Sequence, residues 1–134
     1  MKYLAIDLGD ARTGIAVSES GIIATGLETY KRVEESKDLQ YIADLVKSYK
    51  IDVVVFGLPL NMDGTVGERV EKTKAFAEKL QPMITAKIDY EDERLTTVVA
   101  EEMLIEGGMR RDKRKKVIDK IAATIILQAY LDRR

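Results

Sequence analysis

The sequence predicts an α/β domain built on one five-stranded mixed sheet, three antiparallel strands first and parallel ones after them, flanked by helices. Three observations carry this. Short apolar runs separated by glycines open the chain, an unbroken β-branched run follows an amphipathic stripe, and helical and strand-like patterns then alternate to the end. With 134 residues the chain reads as a single domain over 1–134, long enough for one sheet-centred core and too short for a second full domain.

The elements follow in order. Tyr3–Leu8, 14–17 and 22–27 are short apolar runs bounded by Gly9 and Gly21, as antiparallel strands joined by turns would be. Leu39, Ile42, Ala43, Val46 and Tyr49 form the stripe of an amphipathic helix, with Ser36 or Asp38 placed to cap its start. Asp52-Val53-Val54-Val55-Phe56-Gly57 reads as a central parallel strand covered on both faces. A turn-rich stretch over 58–67 leads to a second helix with Val70, Phe76, Ala77 and Leu80 inward, which Pro82 ends. A fifth strand is expected over 85–90. A third helix should start at Thr96 or Thr97 and stop at Gly107-Gly108, and the last helix spans about 112–131.

Apolar residues make up 46% and charged ones 34%, an ordinary globular balance. No apolar run approaches the roughly 20 residues of a membrane span, and Met1-Lys2 leads straight into a strand, so a cytoplasmic protein without membrane attachment is expected. Cysteine and histidine are both absent, which excludes disulfides, thiolate zinc sites, Cys nucleophiles, His relays and imidazole ligands. Proton transfer near neutral pH must then rest on carboxylates, Lys, Tyr or a metal-bound water.

Three acids stand in positions that need explaining. Asp7 interrupts the otherwise apolar first strand, where Asp is disfavoured, and Gly9 behind it lets a ligand approach the backbone. Glu91-Asp92-Glu93-Arg94 follows the fifth strand, at the edge where open α/β sheets place ligand sites. Alternation puts Asp92 and Glu93 on opposite sides, so one of them faces Asp7, whereas Glu91 reads as part of a solvated turn. Asp119 shares a helix face with Ala122, Ala123, Ile126 and Tyr130, two of which are small enough to let that helix approach the sheet. Such acids from two strand ends and a helix suit Mg²⁺ or Mn²⁺ and the attack of water on a phosphodiester.

The net charge of −1 gives no global attraction to nucleic acid, but its distribution is uneven. Arg110, Arg111, Lys113, Arg114, Lys115 and Lys116 fall within seven residues just before the helix that carries Asp119. A run of that density suits phosphate-backbone contacts, and Lys31-Arg32 and Arg133-Arg134 could extend it. Few aromatics lie nearby, so backbone or shape recognition is favoured over base stacking. The loop from Gly57 to Thr65 lacks the ending of a phosphate-binding P-loop and offers Asn61 and Thr65 to a substrate.

Over essentially its whole length the chain resembles the YqgF family, also called RuvX-like or Holliday-junction resolvase-like proteins. The resemblance rests on Ala5-Ile6-Asp7-Leu8-Gly9 with Arg12 to Val17, on Gly57-Leu58-Pro59-Leu60-Asn61-Met62-Asp63-Gly64-Thr65, on Asp92-Glu93-Arg94-Leu95-Thr96-Thr97, and on the stretch from Lys113 through Asp119 to Ala123. It implies an RNase H-like fold, a divalent-metal nuclease site, a cytoplasmic location, and a role in maturing the 5′ end of precursor 16S ribosomal RNA or in resolving branched DNA. It implies metal-binding or catalytic roles for Asp7, an acid of the Asp92-Glu93 pair, and Asp119. Arg12, Asn61 and Arg94 join the basic run as candidate nucleic-acid contacts. Unlike RuvC-type resolvases, the strand ending at Gly57 has no acid after it, so the second carboxylate must come from Asp92-Glu93. A monomer and a homodimer are both compatible with this reading, the dimer being what symmetric junction cleavage needs. Residues 6–14 also resemble the phosphate loop of actin-like ATPases and sugar kinases, which need a second domain to close over the nucleotide; a non-catalytic RNA-binding assembly factor is the other rival.

Overall fold

The computed structural model describes residues 1–60, 67–93 and 111–133, with side chains from residue 120 onward in the last segment. The elements are β1 (Tyr3–Leu8), β2 (Arg12–Ser18), β3 (Thr25–Lys31), α1 (Glu35–Ser48), β4 (Val53–Leu58), α2 (Glu68–Leu80), a 3₁₀ turn (Gln81–Met83), β5 (Lys87–Asp92) and α3 (Arg111–Arg133). The expected helix beginning at Thr96 or Thr97 lies outside the described residues. The sheet order is β3-β2-β1-β4-β5; β1–β2 and β2–β3 are antiparallel, β1–β4 and β4–β5 parallel.

Two cores form because successive strand residues point to opposite faces. Leu4, Ile6, Ile15, Val54 and Phe56 pack against Leu39, Ile42, Phe76 and Leu80 of α1 and α2. Tyr3, Ala5, Ala16, Val53 and Val55 meet Ala123, Ile126, Leu127 and Tyr130 of α3. Ala122 and Ala123 are almost wholly buried, as expected of residues small enough to let a helix settle on a sheet. Each fully buried Ile or Leu in these layers contributes about 1.5–3 kcal/mol. Among the described residues no helix is long and apolar enough to cross a membrane.

Three expectations change. The third strand is Thr25–Lys31, not 22–27. Ile22 and Ile23 are 70% and 66% exposed in a turn, where the Ser20 hydroxyl accepts both of their backbone N–H groups and Gly21 adopts a φ of 78°. The fifth strand is Lys87–Asp92, not 85–90, because its pairing follows β4 from Val53 opposite Lys87 to Leu58 opposite Asp92. Neither Ser36 nor Asp38 caps α1. Glu34 holds the cap position without a side-chain capping bond, and Asp38 is buried in the first turn instead.

Candidate active site

Strand alternation decides which acids meet. In β1, Tyr3 and Ala5 face α3, so Asp7 does too, one residue beyond the point where Ile6 pairs with Phe56. In β5, the Asp89 carboxylate accepts the Tyr130 hydroxyl at 2.7 Å and Glu91 accepts Arg133 Nε at 2.9 Å, which puts both on the α3 face. Glu93 continues that series, held by its N–H donating to Leu58 O at 3.1 Å. Ile88 and Tyr90 pack on the other core, and Asp92 falls on their side, exposed. Glu93 is therefore the residue of the pair that reaches Asp7, and the two carboxyls are hydrogen-bonded to each other.

Gly57 makes the meeting possible. It pairs with Glu91 at the end of β4, between the two acids, and a Cβ there would overlap Glu93 Oε2 and Ile126 Cδ1. The missing acid on this strand and its glycine are thus one feature, since the space a side chain would take is filled by the Glu93 carboxyl. Gly9 is also required by the local backbone. Its N–H donates to Arg12 O at 2.9 Å in a turn where a Cβ would collide with that same carbonyl.

The electrostatics of the pair are unfavourable. Burial pushes the Asp7 carboxyl above its usual range, against the pull of the Glu93 hydrogen bond and the Arg69 charge. Burial, the charge of Asp7 and the bond to it push Glu93 up to about 9, with Arg69 opposing and Asp92 adding to the rise. Arg69, exposed in the first turn of α2, has no local pattern that sequence reading could have used. It approaches the acids only through the fold. Among the described residues no group of three acids forms a metal-binding cluster.

The remaining predicted residues divide clearly. Arg12 opens β2, half-buried, at the same end of the sheet as Asp7. Asn61, Arg94 and Arg110 lie outside the described residues. Arg111, Lys113, Arg114, Lys115, Lys116 and Asp119 occupy the first turns of α3, where their side chains are outside the description. Three residues read as solvated or as part of a basic patch are engaged elsewhere. Glu91 pairs with Arg133 and its side chain is 12% exposed, so it is not a solvated turn residue and Arg133 does not extend the patch. Arg32 is held by Asp38 at 2.9 Å and by Gly9 O at 3.0 Å.

Comparisons with known proteins agree with this architecture. A protein of Streptococcus thermophilus named "Putative pre-16S rRNA nuclease" is 48% identical, covering 99% of each chain. One of the same name from Caldanaerobacter subterraneus subsp. tengcongensis is 49% identical over 98% of this chain and 96% of its own. Among solved structures, Thermus thermophilus RuvC in complex with Holliday junction substrate aligns with a TM-score of 0.63 at 13% identity, covering 99% of this chain and 95% of that one. Fowlpox virus resolvase with its junction DNA gives 0.63 at 12% identity, covering 99% and 98%. The fold is thus the RNase H-like one that the resemblance implied. The family model described as "RuvX: Holliday junction resolvase" matches residues 1–133, and this chain belongs to the RuvX family.

Proposed function

We propose that this protein is a divalent-metal-dependent nuclease that matures the 5′ end of precursor 16S ribosomal RNA. The observation that carries the reading is the contact of Asp7 with Glu93 over Gly57 at the carboxyl ends of the parallel strands. Two half-buried carboxyls facing one another can be relieved by a shared proton or by a hard cation, and an all-oxygen donor set in a chain without His or Cys suits Mg²⁺ or Mn²⁺. Asp7, Glu93 and Asp119 would hold the ion, while Asp92, on the other face of β5, only adds negative charge near Glu93. Asp119 supports this by its place in α3, two turns before Ile126, the residue that touches the Gly57 site. A bound cation would supply Lewis-acid polarisation of the phosphodiester and a water of lowered pKa.

The chain's own residues have separate tasks. Asp7 is fixed on a central strand and Glu93 is tied by its backbone to Leu58, so the donors are set before substrate arrives. Arg69 adds positive charge where the phosphodiester lies, and Arg12, Asn61, Arg94 and the basic run from Arg110 to Lys116 contact the nucleic-acid backbone. The substrate assignment follows the names of the 48–49% identical relatives. Branched DNA is the second reading, favoured by the description of the family model.

A cleavage panel tests both: precursor 16S RNA beside a four-way DNA junction, with Mg²⁺, with Mn²⁺ and with EDTA, using the wild type and Asp7→Asn. The expected result is metal-dependent cutting of the RNA that Asp7→Asn lowers by on the order of 10²–10⁴-fold. Cutting that survives EDTA, or that Asp7→Asn leaves unchanged, rejects the metal nuclease. Cutting of the junction alone selects the second substrate.

A further inference from the structure

The register of the antiparallel strands sets two cations directly opposite each other. Arg12 of β2 pairs with Lys31 of β3, two residues beyond the row in which Asp7 pairs with Gly14 and Gly14 with Thr29. Alternation assigns this pair to a definite face. Thr13 and Ile15 pair with Tyr30 and Glu28, which reach Asp38 and Tyr41 of α1, so Arg12, Thr29 and Lys31 lie on the opposite face, the one that carries Asp7. By strand geometry the pair lies about 8–12 Å from Asp7, measured between Cα positions.

Like charges directly opposite on a sheet repel and destabilise it. Some cations elsewhere in the fold are compensated: Arg32 by Asp38, Lys79 by Glu35, Arg133 by Glu91. Among the described residues, Arg12 and Lys31 form no ion pair. They line a cleft of about 360 Å³ together with Ala11 and Thr29, and among the described residues no acid contributes to its walls. The backbone of α3 adds to the same charge. Gln128 meets Ala24 and Lys120 lies beside Gly26, so towards its N-terminus the helix heads for the Lys31 end of β3 and carries the run Lys113 to Lys116 with it.

We propose that Arg12 and Lys31 form a two-pronged seat for a backbone phosphate of the bound strand, next to the phosphodiester at the Asp7–Glu93 site and on its β3 side. The seat rests on the nuclease reading for its substrate, and it adds the direction in which the strand leaves the acids: across β2 and β3, towards the start of α3. The ligand chemistry is one phosphodiester monoanion taken between a guanidinium and an ammonium, recognised without regard to base.

Equilibrium binding of a precursor 16S RNA fragment, measured by fluorescence anisotropy in EDTA over a range of salt, reads the seat whether or not the chain cuts. Lys31→Gln and Arg12→Gln are each expected to weaken binding by roughly five- to tenfold at low salt and to lower the slope of log K against log salt by about 1. The double variant should lose less than the product of the two, because both prongs hold one phosphate. Lys31→Arg should keep the affinity. A methylphosphonate placed in turn at each linkage should find one position that weakens the wild type and has no effect on Lys31→Gln. In the free protein Lys31→Gln should raise Tm by about 1–3 °C, since it removes a repulsion. Wild-type binding with unchanged affinity and slope in both Gln variants overturns the seat and leaves the nuclease reading standing. Loss of affinity in Lys31→Arg, or a fall in Tm with Lys31→Gln, assigns the residue a structural role and also overturns it. A wild type that binds neither RNA nor the junction removes the seat and the nucleic-acid reading together.

Discussion

Two buried carboxyl sites in this molecule are solved in opposite ways. Asp38, 2% exposed, accepts the Tyr30 hydroxyl at 2.9 Å, Arg32 Nε at 2.9 Å and the Val33 N–H at 3.0 Å. Burial pushes its carboxyl up, but the Val33 N–H, Arg32 and Tyr30 together outweigh that and hold it below the usual carboxylate range. Asp7 and Glu93 have each other and an exposed arginine, and both are pushed up. Burial of an acid is therefore no sign of function by itself. What separates the two sites is whether the fold supplies the compensating donors or leaves them to be supplied from outside.

The sharpest way to break that contrast is to remove each acid and measure stability by urea unfolding. Asp38→Ala takes away three bonds and strands the Arg32 charge, so a loss of about 3–5 kcal/mol is expected. Asp7→Asn should unfold no more easily than the wild type, because it removes a repulsion. Equal losses at the two sites would mean that both carboxylates are structural.

Next in size is Gly57→Ala, which separates assembly of the site from stability of the fold. The atoms a methyl would meet are the ends of the Glu93 and Ile126 side chains, which can move, so about 1 kcal/mol of stability should be lost. Displacing Glu93 from Asp7 should nevertheless cut cleavage on the order of 10²-fold. Cleavage at the wild-type rate in a folded Gly57→Ala protein would show that the Glu93 position is not needed.

The smallest effect is in pH. Because the folded-state pKa of Asp38 is depressed, its stabilisation is present above the unfolded value, near 3.8, and is lost as pH falls through the folded value. The stability gap between the wild type and Asp38→Asn should be constant from pH 7 to about pH 5 and shrink below about pH 4. A gap that stays full at pH 3 would assign the effect to packing.

Much of this was legible in the chain because the physics that set it is local. The unrelieved Val53-Val54-Val55-Phe56 run is a central strand, and the stripe Leu39, Ile42, Ala43, Val46 is the buried side of α1. Alternation already required that only one of Asp92 and Glu93 face Asp7, but the choice depended on which residue stays in step with Asp89 and Glu91 against α3. That is a tertiary fact. The third strand was misplaced because Ile22 and Ile23 carry the apolar signal while the pairing with β2 belongs to the more polar Thr25–Lys31. A register shift between Ile15 and Ala16 further hides its period, leaving Leu27 without a cross-strand partner. Asp38 lies in the first turn of α1 but does not cap it, because its partners Tyr30 and Arg32 come from β3 and the turn after it, which no local pattern reveals. Arg69 and the opposition of Arg12 to Lys31 exist only once strands and helices have been laid side by side.

The grip of Gln128 on the β2–β3 turn carries a consequence for how the molecule is made. Its side-chain amide accepts the Ala24 N–H and donates to Ile22 O, both at 2.9 Å, joining positions more than a hundred residues apart. The first hairpin leaves a translating ribosome early, yet Tyr3, Ala5 and Ala16 have no cover until α3 is synthesised. Closure of that layer must wait for the chain to be nearly finished, and such long-range closure is slow. A nascent chain halted before α3 would hold all five strands with one face of the sheet uncovered, so the fold closes only as synthesis nears its end.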